Sequence, residues 1–245
     1  MDPELPRVNE LRALIADPSA DSAYFGQDFD ERFRTSPARQ RVWLGREREL
    51  QGLDYTAWAF LKDEARPYLM RKDKNGRGWQ QLFTILNQAS AYNFLVQRLR
   101  CTDVRFVTRD PLTETPDLEG TVDGQVVLCE VKTISMSEDE VKARRDGTGS
   151  YTGPGLGEGF FSKLVSDISK ARTQMAAYGG DSTSRKIVYI IVDFDDSLGE
   201  YKDAHYSQID EFLAGRDLGV GVVFLNRETP FHPRIEMKNA TVICE

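Results

Sequence analysis

The chain has 245 residues, 40% of them hydrophobic and 29% charged, and a net charge of −7; that length buries a substantial core with room for a subsidiary lobe. No apolar stretch is long enough to span a bilayer, and the start Met-Asp-Pro-Glu-Leu does not read as a signal peptide, so a soluble protein without a membrane partner is expected. Three widely spaced cysteines (Cys101, Cys129, Cys244) argue for reduced thiols and a cytoplasmic location, and two histidines (His205, His232) outside any ligand spacing weaken zinc-helix and Ser-His-Asp chemistries.

Residues 1–75 predict a helical N-terminal region. Val8, Leu11, Leu14 and Ile15 recur at helical spacing, as do Tyr55, Trp58 and Leu61, with Asp54 as the N-cap of the second helix. Between them, segment 32–48 carries Arg32, Arg34, Arg39, Arg41, Arg46 and Arg48 against Glu47, with Trp43 at its centre. Arg39, Arg41 and Arg46 are the candidates for phosphate contact, and Trp43 for stacking on a base; a solvated helix face is the competing reading. Arg71, Lys72, Lys74 and Arg77 form a second basic cluster, in a Gly/Asn loop over 72–78 that divides the helical region from a core at 76–245. The acidic excess lies mainly from Asp181 onward, so the negative total does not exclude a polyanionic partner.

Residues 79–99 predict a long helix and 104–108 a strand. The chain then reads Thr115-Pro116-Asp117-Leu118-Glu119-Gly120-Thr121-Val122, the turn Asp123-Gly124, and Gln125-Val126-Val127-Leu128-Cys129-Glu130-Val131-Lys132-Thr133-Ile134. Asp-Gly between two such runs signals a two-residue hairpin. Side chains alternate along a strand, so Val126, Leu128, Glu130 and Lys132 share one face, and Val127, Cys129 and Val131 the other. Counting back from the turn sets Asp117 opposite Glu130. Two carboxylates converging beside a lysine make an oxygen-donor site for a hard divalent cation, with Lys132 placed to act on an attacking water. An edge hairpin with a surface Glu-Lys pair is the bland alternative.

Segment 135–159 is glycine-rich and charged and reads as a loop; 160–178 predicts a helix stopped by Gly179-Gly180. On that helix Lys163, Lys170, Gln174 and Tyr178 keep roughly to one side. Segments 186–194 and 218–225 predict buried strands, with a helix over 203–214 between them.

Pro116-Asp117 followed by Glu130-x-Lys132 resembles the signature of the PD-(D/E)XK nuclease superfamily. The order helix, three strands, helix, strand over about 79–194 is similar to that family's common core. Gln174 and Tyr178 also resemble the Gln-x-x-x-Tyr element of its exonuclease-like branches. The resemblance implies an α/β fold with a restriction-endonuclease-like core: a mixed central sheet flanked by helices. It implies a Mg²⁺-dependent nuclease, with Mn²⁺ as a substitute metal, acting on nucleic acid and more on DNA than RNA. Asp117, Glu130 and the main-chain carbonyl of Val131 would bind the metal. Lys132 would orient the attacking water, Gln174 would support the site, and Lys163 and Lys170 would face the nucleic acid. This reading admits a homodimer.

One departure stands out. Many members carry an acidic metal ligand on the first core helix, whereas 79–99 offers only Gln80, Gln81, Asn87, Gln88, Asn93 and Gln97. A catalytically degenerate member, binding nucleic acid or a partner protein, is therefore the second expectation. A third is a metal-dependent hydrolase centred on Asp193 and Asp195 at a strand end, where α/β sheets bind ligands. The run Gly153-Pro154-Gly155-Leu156-Gly157-Glu158-Gly159 lacks the Gly-Lys-Ser/Thr ending of a phosphate loop.

Overall fold

The computed structural model describes residues 2–72, 79–108, 113–135, 155–178, 184–193, 202–214, 216 and 218–227. Several expectations fall outside these residues: most of the 72–78 boundary loop with Lys74 and Arg77, most of loop 135–159, the Gly179-Gly180 stop, Asp195, His232 and Cys244.

Asp123-Gly124 fixes the central hairpin. Both residues have positive φ, 51° and 79°, as a two-residue hairpin turn matched to the twist of its strands requires. The turn sets Val122 opposite Gln125 and, at the other end, Leu118 opposite Cys129, pairing β2 (Leu118–Val122) antiparallel to β3 (Gln125–Ser135). β1 (Thr102–Phe106) pairs antiparallel with the outer side of β2. Its register shifts between Thr102 and Arg105, where Asp103 takes φ 52°. That irregularity carries the strand further toward its N-terminus than the apolar pattern at 104–108 suggests. β4 (Arg185–Asp193) and β5 (Gly221–Arg227) join in parallel, completing a five-stranded mixed sheet in the order β1-β2-β3-β4-β5.

Parallel neighbours need crossover segments, and helices supply them. α6 (Glu158–Ala177) connects β3 to β4, and α7 (Lys202–Leu213) connects β4 to β5. Their Leu164, Ile168, Ala171, Met175, Ile209 and Leu213 pack with Leu128, Val188, Ile190 and Val192 on one face of the sheet. The opposite face, through Val127, Cys129, Val131, Ile187, Tyr189 and Ile191, packs with α5 (Gln80–Asn93) and the N-terminal helices. β4 is thus covered on both sides, which explains its unbroken apolar run.

The N-terminal helices are α1 (Pro6–Arg12), α2 (Phe29–Thr35), α3 (Pro37–Gln51) and α4 (Tyr55–Ala65). Asp54 caps α4, accepting from the Ala57 N–H at 2.8 Å, as the sequence predicts. Tyr55 does not join the packed stripe: it is exposed, and Ala57, Trp58, Leu61 and Ala65 are buried instead. Glu47, inside the basic segment, is buried and accepts the N–H groups of Arg7 and Val8 at 2.9 Å each, so α3 caps the start of α1. Apolar side chains of α1 to α5 and of the sheet lie in one continuous cluster. No helix among the described residues is long and apolar enough to cross a membrane.

Candidate active site

The site forms where β2 and β3 part. Their ladder ends at Leu118 and Cys129, and past it the Asp117 side chain takes over the bonding. Asp117 Oδ2 accepts the Val131 N–H at 2.8 Å, while the Asp117 N–H donates to Glu130 Oε2 at 3.2 Å. The register argument therefore holds one residue beyond the strand itself. The Glu130 carboxylate is thus tied to the Asp117 main chain and the Asp117 carboxylate to that of Val131, so the sheet sets the position of both.

Glu130 is 3% exposed. Lys132, two residues along on the same face, donates from Nζ to Glu130 Oε1 at 2.6 Å. From α6, Gln174 Nε2 donates to Glu130 Oε2 at 3.1 Å and to the Thr115 carbonyl at 2.5 Å. It thereby bridges Glu130 to the chain leading into Asp117. A turn further on, Tyr178 donates to Glu119 Oε2 at 3.0 Å, and Arg105 pairs with the same carboxylate.

Sequence reasoning did not single out Gln88. It is buried on α5, and its Nε2 donates to Asp117 Oδ1 at 3.2 Å. The 79–99 helix holds several amides at similar spacing, so no one-dimensional signal distinguishes the one that meets Asp117. Its neighbour Asn87 faces elsewhere, donating to Thr133 Oγ1 at 3.2 Å.

Burial, and then the charge of Asp117, push Glu130 up to about 8 against the pull of Lys132. The folded value lies above the unfolded one near 4.5, so the folded protein holds this proton more tightly. The resulting stability is full below about pH 4.5 and is lost as pH rises through 8. Without added metal, the melting temperature of wild type is expected to fall between pH 5 and pH 8 more than that of Glu130→Gln. Parallel slopes in a pH series of thermal melts would remove Glu130 as the source. Cys129, fully buried beneath the site, is pushed well above the ordinary thiol range by burial, so it is no nucleophile.

The donor set suits a hard cation. Asp117 and Glu130 supply carboxylate oxygens. In an extended strand the N–H and C=O of one residue point the same way, so the Val131 carbonyl shares the edge its N–H offers to Asp117. A half-turn of the Gln88 amide would add a fourth oxygen. Among the described residues no three His, Cys, Asp or Glu side chains gather as a metal cluster; amide, main-chain and water oxygens would share the coordination shell with the two carboxylates.

The basic candidates divide. Arg41 and Lys170 are exposed, Arg39 is half-buried, and Lys163 is exposed but pairs with buried Asp167 on its own helix. Arg46 is a correction. It is 3% exposed and donates to Glu49 Oε2 at 3.0 Å, the Leu86 carbonyl at 3.2 Å and Asn87 Oδ1 at 3.0 Å. An arginine satisfied inside the protein does not meet a phosphate. Trp43 is likewise buried, packed against Tyr24, Phe25 and Phe29, and exposes no face for a base. Comparison of the chain with protein-family models, with curated proteins and with solved structures gives no match.

Proposed function

We propose that this protein is a metal-dependent nuclease that hydrolyses phosphodiester bonds, in DNA by preference, on a restriction-endonuclease-like core of the PD-(D/E)XK kind. One observation carries the reading: Asp117 accepts the Val131 N–H at 2.8 Å and donates its own N–H to Glu130 at 3.2 Å, with the Lys132 ammonium 2.6 Å from Glu130. The order α5, β1, β2, β3, α6, β4 supports it. Asp117, Glu130 and the Val131 carbonyl would hold Mg²⁺ or Mn²⁺, which when bound polarises a phosphoryl oxygen.

The chain's own groups then have defined tasks. Lys132 orients the attacking water and offsets the negative charge that develops on the phosphate. Gln174 keeps Glu130 turned toward Asp117 by bridging it to the Thr115 carbonyl. Lys170 and Lys163 on α6, with Arg39 and Arg41 on α3, supply positive charge for the strand beyond the cut.

Cleavage of linear and circular DNA, single and double stranded, is expected with Mg²⁺ or Mn²⁺ and is expected to vanish in excess EDTA. Asp117→Ala and Glu130→Ala should each abolish it by weakening metal binding. Undiminished cleavage in chelator would overturn the metal, and full activity of either variant would overturn that ligand. A second reading, a non-cutting module that binds nucleic acid or protein through the same fold, is favoured by the amide of Gln88 standing against Asp117 where a third carboxylate would strengthen the site. Binding to DNA without cleavage under every metal condition would select it.

A further inference from the structure

Beyond Cys129 the ladder of β3 with β2 has ended, while its ladder with β4 runs on, with Lys132 opposite Ile190 and Thr133 opposite Ile191. Side chains hold this part of β3 where β2 no longer does. Asp117 accepts the Val131 N–H at 2.8 Å. Two residues on, Asn87 of α5 donates from Nδ2 to Thr133 Oγ1 at 3.2 Å. The residues on either side of Lys132 are therefore each tied to a different element.

The polarity of the Asn87 contact is dictated from its other end. Arg46 Nη2 meets Asn87 Oδ1 at 3.0 Å, and a guanidinium only donates. The amide oxygen must face Arg46, so the amide nitrogen must face Thr133. Arg46 is itself pinned by Glu49 Oε2 at 3.0 Å and the Leu86 carbonyl at 3.2 Å, and Asn87 is wholly buried. Apolar packing of α5 on the sheet sets their separation but is non-directional. A hydrogen bond adds direction, and fixes Thr133 relative to α5.

We infer that Asn87 is a positioning residue for Lys132: through Thr133 it fixes the stretch of β3 from which the lysine reaches the attacking water; the inference rests on the nuclease reading. Successive side chains alternate faces, so Asn87 holds Thr133 on one side of the sheet while Lys132 works on the other. Lysine carries its charge on a flexible four-carbon stem, so the ammonium is placed no better than the Cα that bears it. A misplacement of about 1 Å costs up to about a hundredfold in rate.

The test compares Thr133→Val, which keeps the shape and removes the acceptor, with Thr133→Ser, which keeps the hydroxyl. Thr133→Val is expected to lower kcat for DNA cleavage in Mg²⁺ roughly ten- to hundredfold at unchanged KM, and Thr133→Ser to cleave like wild type. Because Asn87 acts through Lys132, Thr133→Val should cause no further loss in a Lys132→Met background. A second readout needs no cleavage: in EDTA, hydrogen exchange of the Lys132 amide should quicken in Thr133→Val and not in Thr133→Ser. If Thr133→Val melts below the assay temperature, Thr133→Ala, which leaves room for a water on Asn87 Nδ2, takes its place. Wild-type kcat, an equal loss in Thr133→Ser, a loss confined to KM, a full further loss on top of Lys132→Met, or unchanged exchange overturns the inference. Wild-type cleavage judges the nuclease reading separately. Cutting with unchanged kcat and exchange in Thr133→Val leaves the nuclease standing and removes Asn87 from it. Quickened exchange in a protein that never cuts overturns the nuclease and leaves Asn87 as the residue that holds Lys132 in place.

Discussion

Lys132→Met is expected to lower DNA cleavage by about a thousandfold while changing DNA affinity little. Methionine keeps most of the aliphatic stem and removes only the ammonium that stands 2.6 Å from Glu130. The stability consequence separates catalysis from architecture. Without metal, the variant leaves Glu130 and Asp117 facing each other with no cation, and Glu130, already pushed up by burial, takes a proton more readily. The loss of stability should thus be modest at pH 6, where Glu130 keeps its proton, and larger at pH 9, above the value of about 8 at which wild type releases it. With saturating Mg²⁺ the two carboxylates are neutralised and the melting temperature should return close to wild type. A purely structural ion pair predicts otherwise: breaking it costs about 3–5 kcal/mol, and metal does not repair the loss. Thermal melts at both pH values, with and without Mg²⁺, run beside a cleavage assay, discriminate these outcomes. Retained cleavage, or a large destabilisation that metal leaves in place, would take Lys132 out of the mechanism.

The parts of this site that were legible in the sequence are those set by short-range rules. Asp123-Gly124 dictates a tight turn because both residues tolerate positive φ. Once the turn is fixed, the two-residue period of a strand carries the register back to Asp117 and Glu130 without further information. Lys132 follows from the same alternation, and Gln174 from its place on the helix after that strand. What was not legible depends on partners far apart in the chain. Arg46 reads as one more arginine in a basic segment, yet its bond to Asn87 spans 41 residues. Glu47 reads as a lone acid among arginines, and its function is to accept N–H groups some 40 residues away. Gln88 is one amide among several until the fold decides which faces Asp117. Local pattern locates the helix; tertiary contact selects the residue.

The same contrast makes Arg46 the sharpest stability test. Arg46→Met is expected to destabilise the protein by about 3–5 kcal/mol, the usual cost of removing one partner from a buried ion pair. Arg46 and Glu49 are both nearly inaccessible, with side chains 4% and 5% exposed. Methionine would fill most of the stem's volume but leave the Glu49 carboxylate without its guanidinium and the Asn87 oxygen without its donor. Because Asn87 also bonds Thr133, next to Lys132 on β3, the strain should reach the strand that carries the site. Denaturant unfolding would show it as a lower midpoint at an unchanged slope. Adding Glu49→Leu to Arg46→Met should recover much of the loss, since replacing both charges by apolar groups removes the desolvation cost of each. A phosphate-contacting Arg46 predicts the opposite pattern: stability unchanged within about 0.5 kcal/mol, and a salt dependence of DNA binding shallower by about one ion per contact removed. Measured under conditions where the variant stays folded, a wild-type salt slope with a multi-kcal/mol loss of stability would identify this arginine as part of the core, and a shallower slope without that loss would return it to the surface.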